Sequence, residues 1–326
     1  MIEILLKEWI EQVKYYIHLI ADYSIKESQV GAVLDDVLNL SGKMLRSKLL
    51  LLCAFLGSNW KNNKEKICKL AAMVELTHLA SLIHDDIVDD SPYRRGKVSV
   101  QGKYGKDAAV FAGDFLIARI FYYGAVENLN EAVSILSKTV EYMCIGEIEQ
   151  DLCRYQENIS EKKYFENIER KTAALFQAAS YIGAKEAGCS EKIIQKLGLF
   201  VKNLGLMFQL KDDILDFTSN SKELGKETHK DFQNGIYTFP VIMALKNPKA
   251  REVLLPIMRK NKEEKLSLAE ILQLQNYIIQ FGGIEASYEK IKYLSTINRQ
   301  LIKELGQNSK ITVYLEKILN DLEVEN

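Results

Sequence analysis

Apolar residues recur every three to four positions along most of this chain, which is the spacing that α-helices need to bury one face. Two stretches show it clearly: Leu70, Met73, Val74, Thr77 and Ser81, and Leu197, Phe200, Val201, Leu204 and Phe208. The four prolines all lie outside residues 93–239, and because proline breaks helix interiors, this gap allows a nearly continuous run of helices. The only strand-like segment covers residues 98–100 and is too short to count. The pattern therefore predicts an all-α fold, a single-domain helical bundle over residues 1–326.

The ends of several elements can also be predicted. Charged residues at positions 3, 7, 8, 11 and 14 among apolar ones predict an amphipathic N-terminal helix and not a signal peptide. Proline at position 92 should end the preceding helix, since it disfavours helical backbone at the residue before it. Residues 219–235 are polar and contain glycine, which predicts a loop, and the charge run at residues 259–264 predicts a solvated turn. The longest apolar run, residues 49–56, is too short to cross a bilayer, so we expect no transmembrane segment.

Composition narrows the class of protein. With 47% apolar and 27% charged residues, the chain is typical of soluble globular proteins. Its net charge of -1 argues against general nucleic-acid binding. The five cysteines are odd in number and lack C-x-x-C spacing, which indicates reduced thiols in a cytoplasmic protein and no zinc site. No glycine-rich phosphate loop or nucleophile elbow follows a plausible strand, which argues against nucleotide-fold chemistry.

Two Asp-Asp-x-x-Asp clusters carry the strongest chemical signal. The first comprises Asp85, Asp86 and Asp89, and the second comprises Asp212, Asp213 and Asp216. Carboxylates four residues apart share a helix face and repel each other unless a cation neutralises them. Oxygen-only ligands suit Mg²⁺, which proteins bind through a few carboxylates together with substrate phosphates. We therefore predict that the two aspartate helices face each other and hold a phosphorylated substrate from two sides.

Basic residues lie close to these clusters in the sequence. Residues 91–106, which follow the first cluster, contain no acidic residue and five basic ones: Arg94, Arg95, Lys97, Lys103 and Lys106. Such a patch next to carboxylates suits a metal-diphosphate site, because arginine binds phosphate oxygens bidentately. A solvated loop or a nucleic-acid patch is an equal alternative on composition alone. Two weaker groups are Gly225-Lys226 and an early segment in which Lys43 and Arg46 would share a helix face if Gly42 begins the helix.

One histidine lies on the face of the first aspartate helix that the carboxylates occupy. His78 precedes Asp85 by seven residues, which is two helical turns. Glu75-x-x-His78 is half of a di-iron site, but none of the other three histidines has glutamate three residues before it, so that interpretation fails. A purely structural histidine remains the alternative.

In this order, the motifs resemble those of the trans-isoprenyl diphosphate synthases, also called polyprenyl synthetases. The likeness covers residues 42–240. It rests on Gly42-Lys43-x-x-Arg46, His84-Asp85-Asp86-x-x-Asp89, Arg94-Arg95-Gly96-Lys97, Gly113-Asp114, Gly146-Glu147-x-x-Gln150, Lys171-Thr172-Ala173, Phe208-Gln209-x-x-Asp212-Asp213-x-x-Asp216, Gly225-Lys226 and residues 231–240. The chain departs from the family at Ser41, Met44, Ser47 and Ile236, where members often have glycine, arginine, proline and lysine. These departures leave the main anion ligands in place.

The resemblance implies an isoprenoid synthase bundle with a central cavity and a prenyltransferase reaction by ionisation, condensation and elimination. Isopentenyl diphosphate would condense with an allylic diphosphate, farnesyl or shorter. Three Mg²⁺ ions per site, or Mn²⁺ in their place, would bind the six aspartates: Asp85, Asp86, Asp89, Asp212, Asp213 and Asp216. The implied ligands of the allylic diphosphate are Arg94, Lys171 and Lys226, and those of isopentenyl diphosphate are Lys43, Arg46, His78 and Arg95. Thr172, Phe208 and Gln209 would lie near the substrate and its cation.

The resemblance also bears on product length. In this family, bulky aromatics four and five residues before the first aspartate give short products, and here these residues are Ser81 and Ala80. We therefore expect a medium-to-long product, of the hexaprenyl to octaprenyl class, such as that of a heptaprenyl or octaprenyl diphosphate synthase. Tyr122, Tyr123 and Leu136 are candidates for the pocket floor. Geranylgeranyl diphosphate is the alternative product.

Two rival interpretations differ from this one in activity or assembly. A class I terpene cyclase normally carries asparagine, serine and glutamate in its second metal motif, whereas this chain repeats Asp-Asp-x-x-Asp. A non-catalytic subunit would lack one aspartate motif, but a catalytic subunit that needs a separate small regulatory partner stays open. The resemblance favours a cytoplasmic homodimer with no nucleic-acid partner and with peripheral membrane contact for product release.

Overall fold

Helices make up nearly all the regular structure in the computed structural model, which describes residues 2–22, 28–39, 42–94, 96–218, 230–306 and 310–323. The helices before the midpoint are α1 (Ile2–Ile20), α2 (Gln29–Leu38), α3 (Leu45–Ala54), α4 (Lys64–Val88), α5 (Val100–Tyr104), α6 (Lys106–Val126) and α7 (Asn130–Leu152). Those that follow are α8 (Glu161–Ile168), α9 (Ala174–Glu186), α10 (Glu191–Thr218), α11 (Lys230–Gln233), α12 (Phe239–Ala244), α13 (Pro248–Glu263), α14 (Leu268–Gln280), α15 (Gly283–Leu305) and α16 (Lys310–Glu323). The all-α prediction is confirmed.

Two short features interrupt this helical pattern. A π-helix, Glu169–Ala173, joins α8 to α9. A two-stranded antiparallel ladder pairs β1 (Tyr93–Arg94) with β2 (Lys97–Val98). The sequence analysis predicted neither feature. Both lie beside residues that the motifs place in the site.

The chain divides into two compact units. Unit 1 contains Met1–Val140 and Leu175–Leu199, and unit 2 contains Glu141–Ala174 and Phe200–Asn326. The boundaries between the units fall within helices α7, α9 and α10. The single-domain organisation, the central cavity and the facing of the two aspartate helices stay predictions.

Unit 1 is organised around α4, which packs against α1, α3 and α6. Residues of α4 from Leu70 to Thr77 are all buried, so this part of the helix is covered on every side. α1 buries only one face, with Trp9 and Val13 among the covered residues, which confirms the predicted amphipathic helix. The burial of α4 on all sides places its last turn, which carries the first aspartate cluster, on a rigid base.

Unit 2 has its own apolar core. The core joins the end of α10 to α12, α13 and α14 through buried residues such as Phe217, Val241, Leu254 and Leu274. Asn203 of α10 donates a hydrogen bond to Asn298 of α15 at 3.0 Å, inside the same unit. α10 is therefore anchored by apolar packing at its end and by a buried polar contact near its middle.

Several predicted boundaries were wrong. α3 begins at Leu45 after Met44, whose φ of 51° is left-handed, so Gly42 does not begin the helix and Lys43 lies before it. The run at residues 259–264 is not a turn, because α13 continues to Glu263. Charged side chains of this run pair within the helix and beyond it, as Lys260 does with Glu264 and Glu270. Residues 219–229 of the predicted loop lie outside the described residues, and residues 230–233 form α11.

Two of the described helices, α4 and α6, are long and apolar enough to cross a membrane by length and composition alone. The apolar segment of α4 is 72% buried inside the protein, as expected of a core helix. The apolar segment of α6 is 39% buried. This is weak evidence for a span, and the expectation of no transmembrane segment stays a prediction.

Candidate active site

The first aspartate cluster lies at the C-terminal end of α4, in unit 1. Asp85 and Asp86 belong to the last turn, and Asp89 is the C-cap, with its backbone N–H donating to the carbonyl of Asp85 at 2.9 Å. Asp90 follows in a left-handed conformation, with φ of 48°, and ends the helix. Asp85 and Asp89 are half-buried, whereas Asp86 is 4% exposed. The outer aspartates therefore reach the surface and the middle one does not.

Asp86 is held by the basic segment that follows it. The Nε of Arg94 donates to both carboxylate oxygens of Asp86 at 2.8 Å, and a second guanidinium nitrogen lies 2.8 Å from Oδ1. The side-chain amide of Gln101 and the backbone N–H of Ser91 both donate to the carbonyl of Asp86, at 2.6 and 2.8 Å. The buried charge of Asp86 is thus paired in full, as burial of a carboxylate requires. Arg95 lies outside the described residues.

Arg46 and His78, both predicted to bind isopentenyl diphosphate, meet in unit 1. A terminal guanidinium nitrogen of Arg46 lies 2.8 Å from Nε2 of His78. Because a guanidinium can only donate, Nε2 of His78 is the acceptor in this contact. The guanidinium also lies 4.6 Å from the centre of the Phe176 ring, in cation–π geometry. Lys43 is exposed and lies just before α3, the helix that carries Arg46.

His84 packs against α6 rather than into the cluster. Its Nε2 is 3.4 Å from Oδ1 of Asp114. A Cβ placed on Gly113 would lie 2.3 Å from the same nitrogen, so only glycine leaves room for this ring. Gly113 therefore leaves space for the ring of His84, and Asp114 lies close to its Nε2.

The second aspartate cluster lies near the end of α10, in unit 2. Asp212 is exposed and Asp216 is half-buried, but Asp213 is 2% exposed. The Tyr164 hydroxyl donates to Oδ2 of Asp213 at 2.6 Å, and the Gln209 amide donates to Oδ1 at 3.0 Å. Burial raises the pKa of Asp213 to about 7, and these two hydrogen bonds oppose that rise. Both clusters thus bury their middle aspartate and expose or half-expose the outer ones.

A hydrogen-bonded chain extends from Asp213 to the π-helix. The amide oxygen of Gln209 accepts from the Thr172 hydroxyl at 2.9 Å, while its amide nitrogen donates to Asp213. Next to Thr172, the ammonium of Lys171 is 2.9 Å from one oxygen of Glu147 and 3.0 Å from the other. Three predicted site residues, Lys171, Thr172 and Gln209, therefore lie together with Asp213 in unit 2. Phe208 is half-buried beside Gln209, and Lys226 lies outside the described residues.

The residues proposed to control product length are all in unit 1. Ala80 is 1% exposed. Ser81 is half-buried, and its hydroxyl donates to the carbonyl of His78 at 2.8 Å. Leu136 is fully buried and Tyr123 nearly so, whereas Tyr122 is 61% exposed. That exposure does not fit a residue that closes the bottom of a pocket inside one chain.

The donor set suits a hard divalent cation. Every exposed or half-buried donor of the two clusters is a carboxylate: Asp85, Asp89, Asp212 and Asp216. In the part of the chain that the structure describes, no three His, Cys, Asp or Glu side chains already surround one metal position. Mg²⁺ fits this arrangement, because it keeps several waters and takes phosphate oxygens in place of a complete protein cage.

The sequence model of polyprenyl synthetases matches residues 27–275, which is more than half of the chain. The chain belongs to the polyprenyl synthetase family. Component 2 of the heptaprenyl diphosphate synthase of Bacillus subtilis is 37% identical over 230 residues, which are 71% of this chain and 65% of that protein, just under two thirds of its length. The Geobacillus stearothermophilus protein of the same name is 34% identical over 265 residues, 80% of each chain. The rice chloroplastic solanesyl-diphosphate synthase 2 is 34% identical over 79% of this chain and 63% of its own length.

Solved structures of polyprenyl synthetases share this fold. A polyprenyl synthase from Caulobacter crescentus, crystallised with calcium and isoprenyl diphosphate, superposes with a TM-score of 0.88 at 29% identity, over 99% of this chain and 96% of that one. The heptaprenyl diphosphate synthase of Staphylococcus aureus gives 0.86 at 26% identity, over 98% of both chains. The isoprenoid synthase fold that the motifs implied is confirmed, and so is membership of a family of prenyltransferases.

Some residues of the polyprenyl synthetase site could not be found from spacing. Tyr164 binds Asp213 from 49 positions away in the chain, and no repeat or motif marks it. Gln101 donates a hydrogen bond to the backbone of Asp86. It lies inside the basic segment, where the lysines and arginines carry the chemical signal and an uncharged glutamine does not stand out. Glu147 had a signal, because it is part of Gly146-Glu147-x-x-Gln150, but only the structure connects it to Lys171.

Proposed function

We propose that this polyprenyl synthetase condenses isopentenyl diphosphate with an allylic diphosphate and releases a trans-polyprenyl diphosphate of the hexaprenyl to octaprenyl class. The observation that carries the proposal is the common design of the two clusters. Each buries and binds its middle aspartate, Asp86 or Asp213, while its outer carboxylates reach the surface. Such a pair of acidic faces suits a metal-diphosphate substrate better than it suits a purely structural role, because unneutralised neighbouring carboxylates repel.

The proposed cofactor is Mg²⁺, three ions per site, with Mn²⁺ as a substitute. When bound, the metal supplies Lewis-acid catalysis on the leaving diphosphate. Asp85, Asp89 and Asp212 would hold it directly, with Asp216 as a further ligand. Asp86 and Asp213 would support these residues, since their own oxygens already accept hydrogen bonds inside the protein.

The cationic side chains would divide between the two substrates. Lys171 would bind the allylic diphosphate together with Lys226 and Arg94, and the charge that develops on the leaving group makes such contacts stronger in the transition state. Arg46 would bind isopentenyl diphosphate beside His78, with Lys43 and Arg95 as further ligands. Thr172 and Gln209 would lie near the cation and the leaving group, and Phe208 would line the allylic site.

The product length rests on one stripe of α4. Ser81 lies about 40° around the helix from Asp85, whereas Ala80 lies about 140° away, so Ser81 is the residue that borders the path. The residues that continue the stripe at helical spacing are Thr77, Val74 and Leu70, all buried and none aromatic. Leu70 is about 22 Å along the helix from Asp85. An extended isoprene unit adds four bonds of about 1.5 Å, or about 5 Å of length, so this stripe accommodates about four units.

A cavity in unit 1 lies where the stripe ends. It has a volume of about 180 Å³ and is lined by Leu70, Leu129, Ala132 and Ile182 together with a charged rim. A chain that grew past Leu70 would reach this cavity, whose lining combines apolar and charged side chains. This cavity supports a product longer than geranylgeranyl diphosphate. Leu136 and Tyr123, which are both buried, would form the floor of the product pocket.

The assembly we propose is a homodimer. Helix α7 exposes an apolar stripe at spacings of three and four residues: Tyr142, Ile145, Ile148 and Leu152. Exposed apolar stripes of this kind mark contacts with another protein surface. A catalytic subunit that needs a separate small partner is the second candidate, because two relatives are named as component 2 of a heptaprenyl diphosphate synthase. We place the protein in the cytoplasm, with peripheral membrane contact for release of the apolar product and without nucleic acid.

One assay tests the proposal. The purified chain alone is incubated with labelled isopentenyl diphosphate, farnesyl diphosphate and Mg²⁺, and the dephosphorylated product is sized by chromatography, with an EDTA control. Hexaprenyl to octaprenyl alcohols in the Mg²⁺ sample alone would support the proposed reaction, its metal requirement and its product length. Geranylgeraniol as the final product would overturn the proposed product length, and the absence of any product would overturn the proposal that the chain is active alone.

A further inference from the structure

The π-helix that carries Lys171 and Thr172 is enclosed by two glycines on different helices of unit 2. It interrupts what would otherwise be one helix, α8 into α9. A Cβ on Gly146 of α7 would lie 3.0 Å from Cβ of Arg170 and 3.1 Å from the backbone nitrogen of Lys171. A Cβ on Gly205 of α10 would lie 2.9 Å from Cα of Ala173 and 3.0 Å from its Cβ. Both neighbouring helices therefore approach the backbone of the π-helix itself.

Backbone conformation does not explain these two glycines. Both lie inside helices, and neither has a positive φ. Glycine inside a helix weakens it relative to alanine, so its presence there calls for another cause. The close approach supplies one, because any larger residue would push the π-helix away.

Charged side chains hold the same segment from the outside. Glu147, the residue after Gly146, binds Lys171 at 2.9 Å. Glu149 of α7 binds Arg170, and Glu169 at the start of the π-helix binds Lys202 of α10 at 2.6 Å. Each charged residue of the π-helix is thus tied to one of the two helices that carry the glycines.

Two adjacent side chains of the π-helix contact two different helices. The extra residue of a π-helix changes the direction of the residues around it, and such turns are frequent at functional sites. Here Lys171 reaches Glu147 on α7, whereas the next residue, Thr172, donates to Gln209 on α10. Gln209 in turn donates to Asp213 of the second cluster. The position of the π-helix therefore sets the geometry of three groups at once.

We propose that Gly146 and Gly205 are positioning residues for the allylic half of the reaction: their close contact fixes the π-helix so that Lys171 and Thr172 meet the allylic diphosphate in a productive geometry. This inference rests on the function proposed above. It assigns a purpose to the Gly146-Glu147 segment, to which the motif comparison gave no role.

The test is a graded series of alanine variants in the full-length enzyme. Gly205→Ala, which brings a Cβ against backbone, should lower kcat/KM for the allylic substrate by about tenfold to hundredfold, the scale expected of a misplacement below 1 Å. Gly146→Ala should cause a smaller loss. The KM for isopentenyl diphosphate should stay within about twofold, since its proposed ligands lie elsewhere, and that split separates positioning from general damage.

Gly198 provides the matched control. It also lies in α10, but a Cβ there would meet nothing within 4 Å. Gly198→Ala should therefore keep wild-type kinetics and be at least as stable as the wild type. The double variant Gly205→Ala, Ala173→Gly removes the Cβ contact from the other side and should recover part of the lost activity.

The outcomes distinguish a failure of this positioning role from a failure of the proposed function. Wild-type kinetics in both Gly146→Ala and Gly205→Ala would overturn this inference while leaving the proposed function intact, and so would equal losses for both substrates. If Gly205→Ala does not fold, the kinetics of Gly146→Ala decide. An inactive wild-type enzyme would instead refute the proposed function itself.

Discussion

The guanidinium of Arg94 chelates the carboxylate of Asp86, with Nε 2.8 Å from each of its two oxygens. Asp86 is almost fully buried, and the side chain of Arg94 is 15% exposed. The sequence motifs predicted Asp86 as a metal ligand and Arg94 as a ligand of the allylic diphosphate. In this structure the two side chains pair with each other, which holds the middle of the first aspartate cluster in place beneath the outer carboxylates.

Breaking this pair should cost stability. Arg94→Ala leaves a buried charge without its partner and should destabilise the protein by about 3 kcal/mol in urea unfolding. The double variant Asp86→Asn, Arg94→Ala should recover much of that loss, because no buried charge remains. Arg259→Ala, which breaks the exposed pair with Glu157, is the control and should cost less than about 1 kcal/mol. Equal costs for the two arginines would contradict a buried role for Arg94.

Both aspartate clusters should be needed for turnover. Asp85→Ala and Asp212→Ala should each lower kcat by about a hundredfold or more, because each removes a ligand for charge that develops in the transition state. Circular dichroism should show unchanged helicity. Asp151→Ala, which removes an exposed partner of Arg154, should be near wild type. Full activity in excess EDTA, or in both cluster variants, would refute the metal assignment.

The stability of the metal-free protein should depend on Asp213. Burial raises the folded-state pKa of this carboxyl from 3.8 to about 7, so the folded protein binds the proton more tightly than the unfolded chain. The favourable contribution is complete below pH 3.8 and is lost as the pH rises through about 7. Asp213→Asn cannot ionise and should gain on the wild type over that interval, by up to about 4 kcal/mol. Urea unfolding in EDTA between pH 4 and 8 measures the difference, and a gap that is constant with pH would disprove it.

The Arg46 contact should serve isopentenyl diphosphate alone. Arg46→Ala removes a charge-assisted contact worth about 1.5–3 kcal/mol, so the KM for isopentenyl diphosphate should rise by about tenfold to a hundredfold. The KM for the allylic substrate should change little. Lys48→Ala lies about 200° around the same helix and is the control. A parallel rise in both Michaelis constants would show that the sites are not separate.

Product length should respond to Ser81 more than to Ala80. Ser81→Phe places an aromatic ring on the stripe that leads from Asp85 to Leu70, and the product should shift to farnesyl or geranylgeranyl diphosphate. Ala80→Phe faces a packed interior and should instead destabilise the fold by about 1–3 kcal/mol. Leu70→Trp, at the far end, should trim only the last units. An active Ser81→Phe enzyme with an unchanged product would show that the chain takes another path.

The amino-acid sequence was enough to predict the fold class, which the structure confirms, and to predict a metal-diphosphate site. The helical spacing and the gap in prolines are local signals, and residues 85–89 and 212–216 carry their metal signature in five positions each. Local signals of this kind can be recognised in the sequence alone, because the residues that share a helix face are three and four positions apart. The predicted turn at residues 259–264 is wrong, because charged residues are also good helix formers when partners such as Glu270 are near.

The tertiary structure was needed to show which aspartate of each cluster is buried and which residues bind it. The partners of Asp86 and Asp213 include Gln101 and Tyr164, and the latter is 49 residues away. It also decided that Lys171 and Thr172 lie in a π-helix enclosed by Gly146 and Gly205. Contacts between distant segments depend on how helices pack, and packing is a property of the whole chain that no spacing rule encodes.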